Sequence, residues 1–341
     1  MKAVVVHGAG DLRVDVLPDP IPQAGEVLIA MEWGGVCGSD VAYWRNGASG
    51  TSVLKHPLVL GHEMAGRIAR TGPGVDGFEV GQPVTVHPAT TVGDDVLPER
   101  LAGRTNLYPR ISYCGSAAFD PHTDGGFSEL KVVRADQIRP LPDAVGTDQG
   151  ALAEPLAVAM HAVNRAGDIR GRDVLVNGAG PIGSLVVAAA KHAGAGTVVV
   201  ADVADAPLLI GRSMGADVLI NLGSGDELPT DIELTFEASG VPTALGAVLR
   251  ATARGGTIVQ VGNLPGTPAP ANLGDLVTRE ITWIGSYRFI DEITDAIAAM
   301  SNGLDVNPLI THRYSIDEAA HAIAVAADSD SGSSKVLLHL G

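Results

Sequence analysis

Short runs of apolar and β-branched residues open the chain, at positions 4–7, 13–16 and 27–31, with Pro18, Pro20, Pro22 and Gly25 punctuating them. Such runs bounded by turn formers read as strands, so residues 1–35 are expected to build an antiparallel, partly closed β-domain. Short strands continue beyond residue 68, with residues 78–84 turning into the next. Around residue 150 the pattern changes. Leu156, Ala159, Met160 and Val163 recur at helical spacing, and Pro155 suits a first helical turn, where its missing N–H is no loss. A buried strand at 173–177 leads into an apolar helix at 184–193 and a second strand at 197–201. Strand-then-turn phrases at 234–240 and 256–262 enclose a helical stretch at 244–253. A strand at 284–289 and a helix at 292–300 follow, and the chain closes on a strand at 335–340. Alternating strands and helices imply a doubly wound parallel sheet with its ligand at the carboxyl ends of the strands. The fold class is α/β in two domains, residues 1–150 with 290–341, and residues 151–289.

Composition narrows this picture. At 341 residues the chain exceeds one small core, and 45% apolar content with 43 glycines and 21 prolines fits a turn-rich globular protein. With 4% aromatic residues, the core must be made of Val, Leu, Ile and Ala. A formal net charge of -16 repels phosphate backbones and anionic headgroups, which argues against nucleic-acid or membrane partners. The N-terminal apolar run is too short for a secretory leader, no uncharged run reaches membrane-spanning length, and two cysteines make no disulfide framework. A cytoplasmic protein is expected.

Two stretches carry chemistry. Gly178, Gly180, Pro181, Ile182 and Gly183 follow the strand at 173–177 and open the next helix. The second strand ends in Asp202. This is the dinucleotide fingerprint in its required context, where the first glycine turns, the second admits the pyrophosphate and the third lets helix and strand pack. The Asp202 carboxylate can accept from an adenosine ribose, whereas a 2′-phosphate would meet like charge. No arginine lies between Asp202 and Arg212, so NAD is the expected cofactor. The other stretch pairs Cys37 with His62 and Glu63, a thiolate, an imidazole and a carboxylate that together offer the three ligands of a catalytic zinc with one position open. His62 and Glu63 would face opposite ways on a regular strand, so both can turn inward only where the strand is ending, at a bend that Gly61 permits.

The phrase GHExxGxxxxxGxxV, met at every fixed position from Gly61 to Val75, resembles the signature of the zinc-containing medium-chain alcohol and polyol dehydrogenases. The octet from Cys37 to Trp44 resembles the polyol and sugar-acid branch. The resemblance implies a GroES-like, β-rich catalytic domain and a Rossmann domain, with Cys37 as first zinc ligand. It places Glu154 beside the metal, as a ligand or as the anchor of a bound water. The residue reading alone makes Glu154 a helix-N-terminal acid favoured by the dipole, and the two are compatible. Val261, Gly262 and Asn263 resemble the family's nicotinamide wall, with Tyr287 beside the cofactor. Residues 88–113 lack the four cysteines that hold a structural zinc in many relatives, so residues 91–110 are expected to form a metal-free loop and the chain to hold one zinc. Cys114 aligns with an apolar position. Pro207 stands where many relatives have an adenine-stacking arginine, and Ala42 replaces a histidine of the outer proton path.

A zinc with an open position beside a nicotinamide implies alcohol oxidation by hydride transfer, or its reverse. Ser39 is the natural first hydroxyl of a proton relay, or simply a turn residue. The Cys37 octet, residues 154–156 and residues 285–289 resemble sorbitol dehydrogenases and, more closely, L-idonate 5-dehydrogenases. The implied substrate is a sugar acid or polyol, with Tyr43 and Arg288 as polar contacts. Arg288 could equally meet phosphate or the other domain. The family also implies a homo-oligomer, dimer or tetramer. The alternatives are a sorbitol/xylitol-type enzyme, with threonine and simple alcohol dehydrogenases close behind, or a zincless, non-catalytic NAD-binding relative. A zinc hydrolase is disfavoured because there is no His-Glu-x-x-His and the fingerprint would serve nothing.

Overall fold

The computed structural model describes residues 1–341. The chain divides into two compact units, Met1–Glu154 with Ile293–Ser301 and Ile310–Gly341, and Pro155–Glu292 with Asn302–Leu309. Where the alternation pattern sends everything after 290 to the first domain, residues 302–309 gather with the second unit. No helix is long and apolar enough to cross a membrane.

The first unit is built on the long strand Glu26–Gly35. Antiparallel neighbours Glu63–Thr71, Leu130–Arg134 and Lys335–His339 all pair with it. Pro83–Val86 and Ile138–Pro140 extend one side and Ile310–Ser315 the other, giving a seven-stranded sheet. A smaller sheet joins Asp11–Val16, Lys2–Gly8 and Leu58–Val59. Phe127, Ile29, Met31, Leu58, Leu60 and Met64 are fully buried in a largely aliphatic core. Burying aliphatic side chains at about 25 cal/mol per Å² of apolar surface is what drives this collapse. The polar-looking stretch after Cys37, read as no element from the sequence, is the helix Gly38–Asn46. Asp40 makes it one: its Oδ2 accepts the Cys37 N–H at 2.9 Å, satisfying a donor that the helix start leaves over.

The second unit is a six-stranded parallel sheet in the order Val218–Asn221, Val198–Asp202, Val174–Asn177, Ile232–Glu237, Thr252–Gln260, Thr282–Gly285. In chain order that is 3-2-1-4-5-6, the doubly wound arrangement, and it reverses between Val174–Asn177 and Ile232–Glu237. Two expectations need correction. The strand expected over 284–289 stops at Gly285, and Arg288 takes a φ of +51°, which no strand residue holds. The helix expected over 244–253 covers Leu245–Ala251, because Thr252 already belongs to the next strand. That threonine donates to Val248 O at 2.9 Å and meets Thr235 Oγ1 at 3.0 Å, which ends the helix on a β-branched side chain.

Candidate active site

Register brings the metal-ligand candidates together. Gly35 pairs with Glu63 across two antiparallel strands, so the segment entering Cys37 lies against the segment leaving His62. Gly61 has a φ of +96°, and a Cβ there would stand 2.1 Å from the Phe127 ring, so only glycine makes this bend. Glu63 is the first residue of its strand, Glu63–Thr71. The bend therefore falls where a strand begins, the reverse of the expected strand end, and it still lets His62 and Glu63 point the same way. The sulfur, a ring nitrogen and a carboxylate oxygen of Cys37, His62 and Glu63 lie within 4.8 Å of one another.

The field at this spot favours a cation. Burial pushes the His62 imidazole down, but Cys37, Asp40 and Glu154 outweigh it and carry His62 well above its usual value. One sulfur, one nitrogen and one oxygen donor in a buried, electronegative pocket are the donor set of a catalytic zinc, so the residues fit that ion. Cys37 stands at the N-cap of the helix Gly38–Asn46.

Three further residues complete the site, and sequence reasoning missed them. Asp40 is fully buried and its carboxylate spans the two ligand segments, taking the Cys37 N–H on one oxygen and the Gly61 N–H, at 3.2 Å, on the other. Tyr113 donates its hydroxyl to Glu154 Oε1 at 2.5 Å and sets its ring edge against His62. Lys335, buried at 2% exposure, donates to both Glu63 oxygens. Asp40 had a local signal, an acid three residues after a helix cap. Tyr113 and Lys335 had none.

The remaining candidates are placed as follows. Glu154 is buried in the first turn of Ala153–Arg165, outside the group of three ligands, and burial raises its carboxyl. Ser39 is half-buried on the first turn of Gly38–Asn46. Tyr43 is 2% exposed, and its hydroxyl accepts the Ala117 N–H at 2.9 Å. Cys114 is buried in the same core. Residues 91–110 contain two short 3-10 turns, Glu99–Leu101 and Thr105–Leu107.

In the second unit the glycine turn sits where the strand order reverses. Gly178 has a φ of +99°, and a Cβ there would meet Ser239 N at 2.7 Å. A Cβ at Gly183 would stand 1.8 Å from Gly178 O, whereas Gly180 has open space before it at the cap of helix Pro181–His192. Pro181 and Ile182 open that helix, half-buried. Asp202 Oδ2 accepts the Ala179 N–H at 2.7 Å, and Oδ1 accepts from Val203 and Ala204. Three bonds leave the carboxylate one of its roughly four acceptor positions. Val261 and Gly262 both donate to Glu237 O at 2.9 Å, and Asn263 is exposed. The Arg288 guanidinium lies 5.0 Å over the ring of Tyr287, which is 49% exposed.

Family models match both units: an alcohol dehydrogenase GroES-like domain over residues 23–143 and a zinc-binding dehydrogenase domain over residues 181–302. Sorbitol dehydrogenase of Bos taurus is 38% identical over 333 residues, 94% of this chain and 91% of that one. L-idonate 5-dehydrogenase (NAD(P)(+)) of Escherichia coli K12 is 36% identical over 309 residues, 88% of each. The crystal structure of the Escherichia coli L-idonate 5-dehydrogenase superposes with a TM-score of 0.92 at 33% identity, covering 99% of this chain and 98% of that one. The chain belongs to the family of zinc-dependent medium-chain alcohol and polyol dehydrogenases, and is an oxidoreductase of that kind.

Proposed function

We propose that the chain oxidises a secondary hydroxyl of a sugar acid or polyol with NAD, with L-idonate at its 5-position as the substrate, and that it holds one zinc at Cys37, His62 and Glu63. The observation that carries this reading is the meeting of those three unlike donors within 4.8 Å, in a chain that resembles an L-idonate 5-dehydrogenase over nearly its whole length. When bound, zinc would act as a Lewis acid that makes the substrate hydroxyl far more acidic, and a nicotinamide cofactor would serve as the hydride acceptor. Cys37 and His62 hold the ion, Glu63 supplies the third donor, and Glu154, steadied by Tyr113, anchors a water beside it. Ser39 Oγ, two residues after the thiolate, takes the hydroxyl proton. Gly180 and the N-terminus of Pro181–His192 receive the pyrophosphate, and Val261, Gly262, Asn263 and Tyr287 line the nicotinamide side. Asp202 keeps one acceptor position for a ribose hydroxyl and repels a 2′-phosphate, which supports NAD over NADP. Arg288 offers a planar fork suited to a carboxylate, the group that separates a sugar acid from a polyol.

The test is a substrate panel of L-idonate, 5-ketogluconate, sorbitol, xylitol, L-threonine and ethanol, with NAD and NADP at fixed pH. L-idonate should give the highest kcat/KM, with NAD preferred. A ranking led by sorbitol would move the assignment to the sorbitol dehydrogenases, which a 38% identical relative supports as the second reading. Activity on threonine alone would defeat both.

A further inference from the structure

Glu63 is claimed twice. Lys335 Nζ lies 2.7 Å from each Glu63 oxygen and 3.1 Å from Val36 O, so all three ammonium protons are spent, two of them on one carboxylate. The lysine and glutamate side chains are 3% and 1% exposed, so bulk solvent does little to screen the pair. Glu63 Oε2 occupies the space that a side chain at Gly35 would take, since a Cβ there would stand 2.2 Å from it. The pair is also fixed in the fold: Lys335 begins the strand Lys335–His339, and the Val36 N–H donates to Val336 O at 2.9 Å, stitching that strand to the segment that enters Cys37. The same carboxylate is the oxygen donor of the Cys37, His62 and Glu63 group.

We propose that Lys335 is a positioning residue acting through Glu63 whose charge competes with the metal for that carboxylate by more than its hold on the side chain helps, so that a lysine on the last strand lowers the zinc affinity of the site. The proposal rests on the reading of Cys37, His62 and Glu63 as a zinc site. Two consequences follow from the charges. Without metal, the ammonium spares the protein a bare buried carboxylate, which keeps the site preformed. With metal, a fixed positive charge beside a divalent ion weakens binding, so the affinity lies below what the three donors alone would give.

A merely structural Lys335 and a competing one predict opposite results on its removal. The measurement is zinc affinity of the full-length protein by chelator competition, alongside the rise in Tm when zinc is added. Lys335→Met should lower the Tm of the metal-free protein, bind zinc at least about tenfold more tightly than wild type, and gain more Tm on zinc addition. Should Lys335→Met not fold, Lys335→Gln carries the same test. Its amide can still donate to Val36 O and one Glu63 oxygen, and it removes the charge. Unchanged or weaker zinc binding in these variants, with zinc still bound by wild type, overturns the proposal. Wild type that binds no zinc overturns the metal reading instead, and the two failures are told apart in one titration series.

Discussion

The cluster of Cys37, His62 and Glu63 and the glycine turn both read as short phrases in the sequence, yet they are made differently. At the turn, most of the defining contacts are local, apart from the close approach of Gly178 to Ser239 on the neighbouring strand's exit. Gly178, Gly180 and Gly183 sit within one strand-to-helix passage, and Asp202 reaches back to Ala179 from the next strand. The cluster is assembled from distant pieces: Gly61 and its neighbours receive Asp40 from the helix after Cys37, Tyr113 brings Glu154, and Lys335 arrives across 272 residues to seat Glu63. A site whose geometry is closed by neighbours in sequence can be read from a motif. One closed by the sheet register cannot, even when its ligands can be named.

If that contrast is right, removing a metal donor should do the most damage. Cys37→Ala should lose zinc and lower kcat/KM by at least about a thousandfold, the several kcal/mol that a Lewis acid supplies, while circular dichroism stays unchanged. A long-range pair in the second unit, away from the glycine turn, sharpens the comparison next. Burial pushes the Glu292 carboxyl up, but His161 Nδ1 at 2.7 Å and the Ile290 N–H at 2.6 Å outweigh it and bring it down to about 2. A depressed carboxylate contributes stability that is present above its unfolded value near 4.5 and lost as pH falls towards 2. That contribution is about 3 kcal/mol at most. Glu292→Gln should therefore lower the urea midpoint at pH 6 and flatten its fall between pH 4.5 and 2. An acid limb as steep as wild type would break the assignment.

Asp40 tests whether support from outside the ligand set matters. Asp40→Ala leaves the buried Cys37 and Gly61 N–H groups without their acceptor and should weaken zinc binding by about tenfold to a hundredfold, read by chelator competition. The smallest effect is expected at the turn. Asp202→Asn keeps an oxygen for the Ala179 N–H and removes the charge, so the preference for NAD over NADP should fall by about tenfold, measured as the ratio of kcat/KM values. An unchanged ratio would show that selectivity is set elsewhere.

How much was legible follows the same division. The alternation of strands and helices after residue 170 gave the parallel sheet because buried parallel strands read as unbroken apolar runs, as in Val174–Asn177 and Val198–Asp202. The strand Val218–Asn221 escaped notice because it is a half-exposed sheet edge of four residues. The helix Gly38–Asn46 escaped because its residues carry almost no apolar stripe, and its start is fixed by Asp40 bonding back to Cys37. The three candidate donors, Cys37, His62 and Glu63, stand out by residue type and by the family phrase around Gly61. Lys335 does not, since a lysine opening a final strand looks like any solvated charge until the register seats it against Glu63.

Metal content per chain, measured together with NAD-linked oxidation of L-idonate before and after chelation, tests the central claim most directly. The account predicts about one zinc per chain in wild type and none in Cys37→Ala, with activity lost on chelation and restored by zinc. Turnover that survives complete removal of zinc would contradict it.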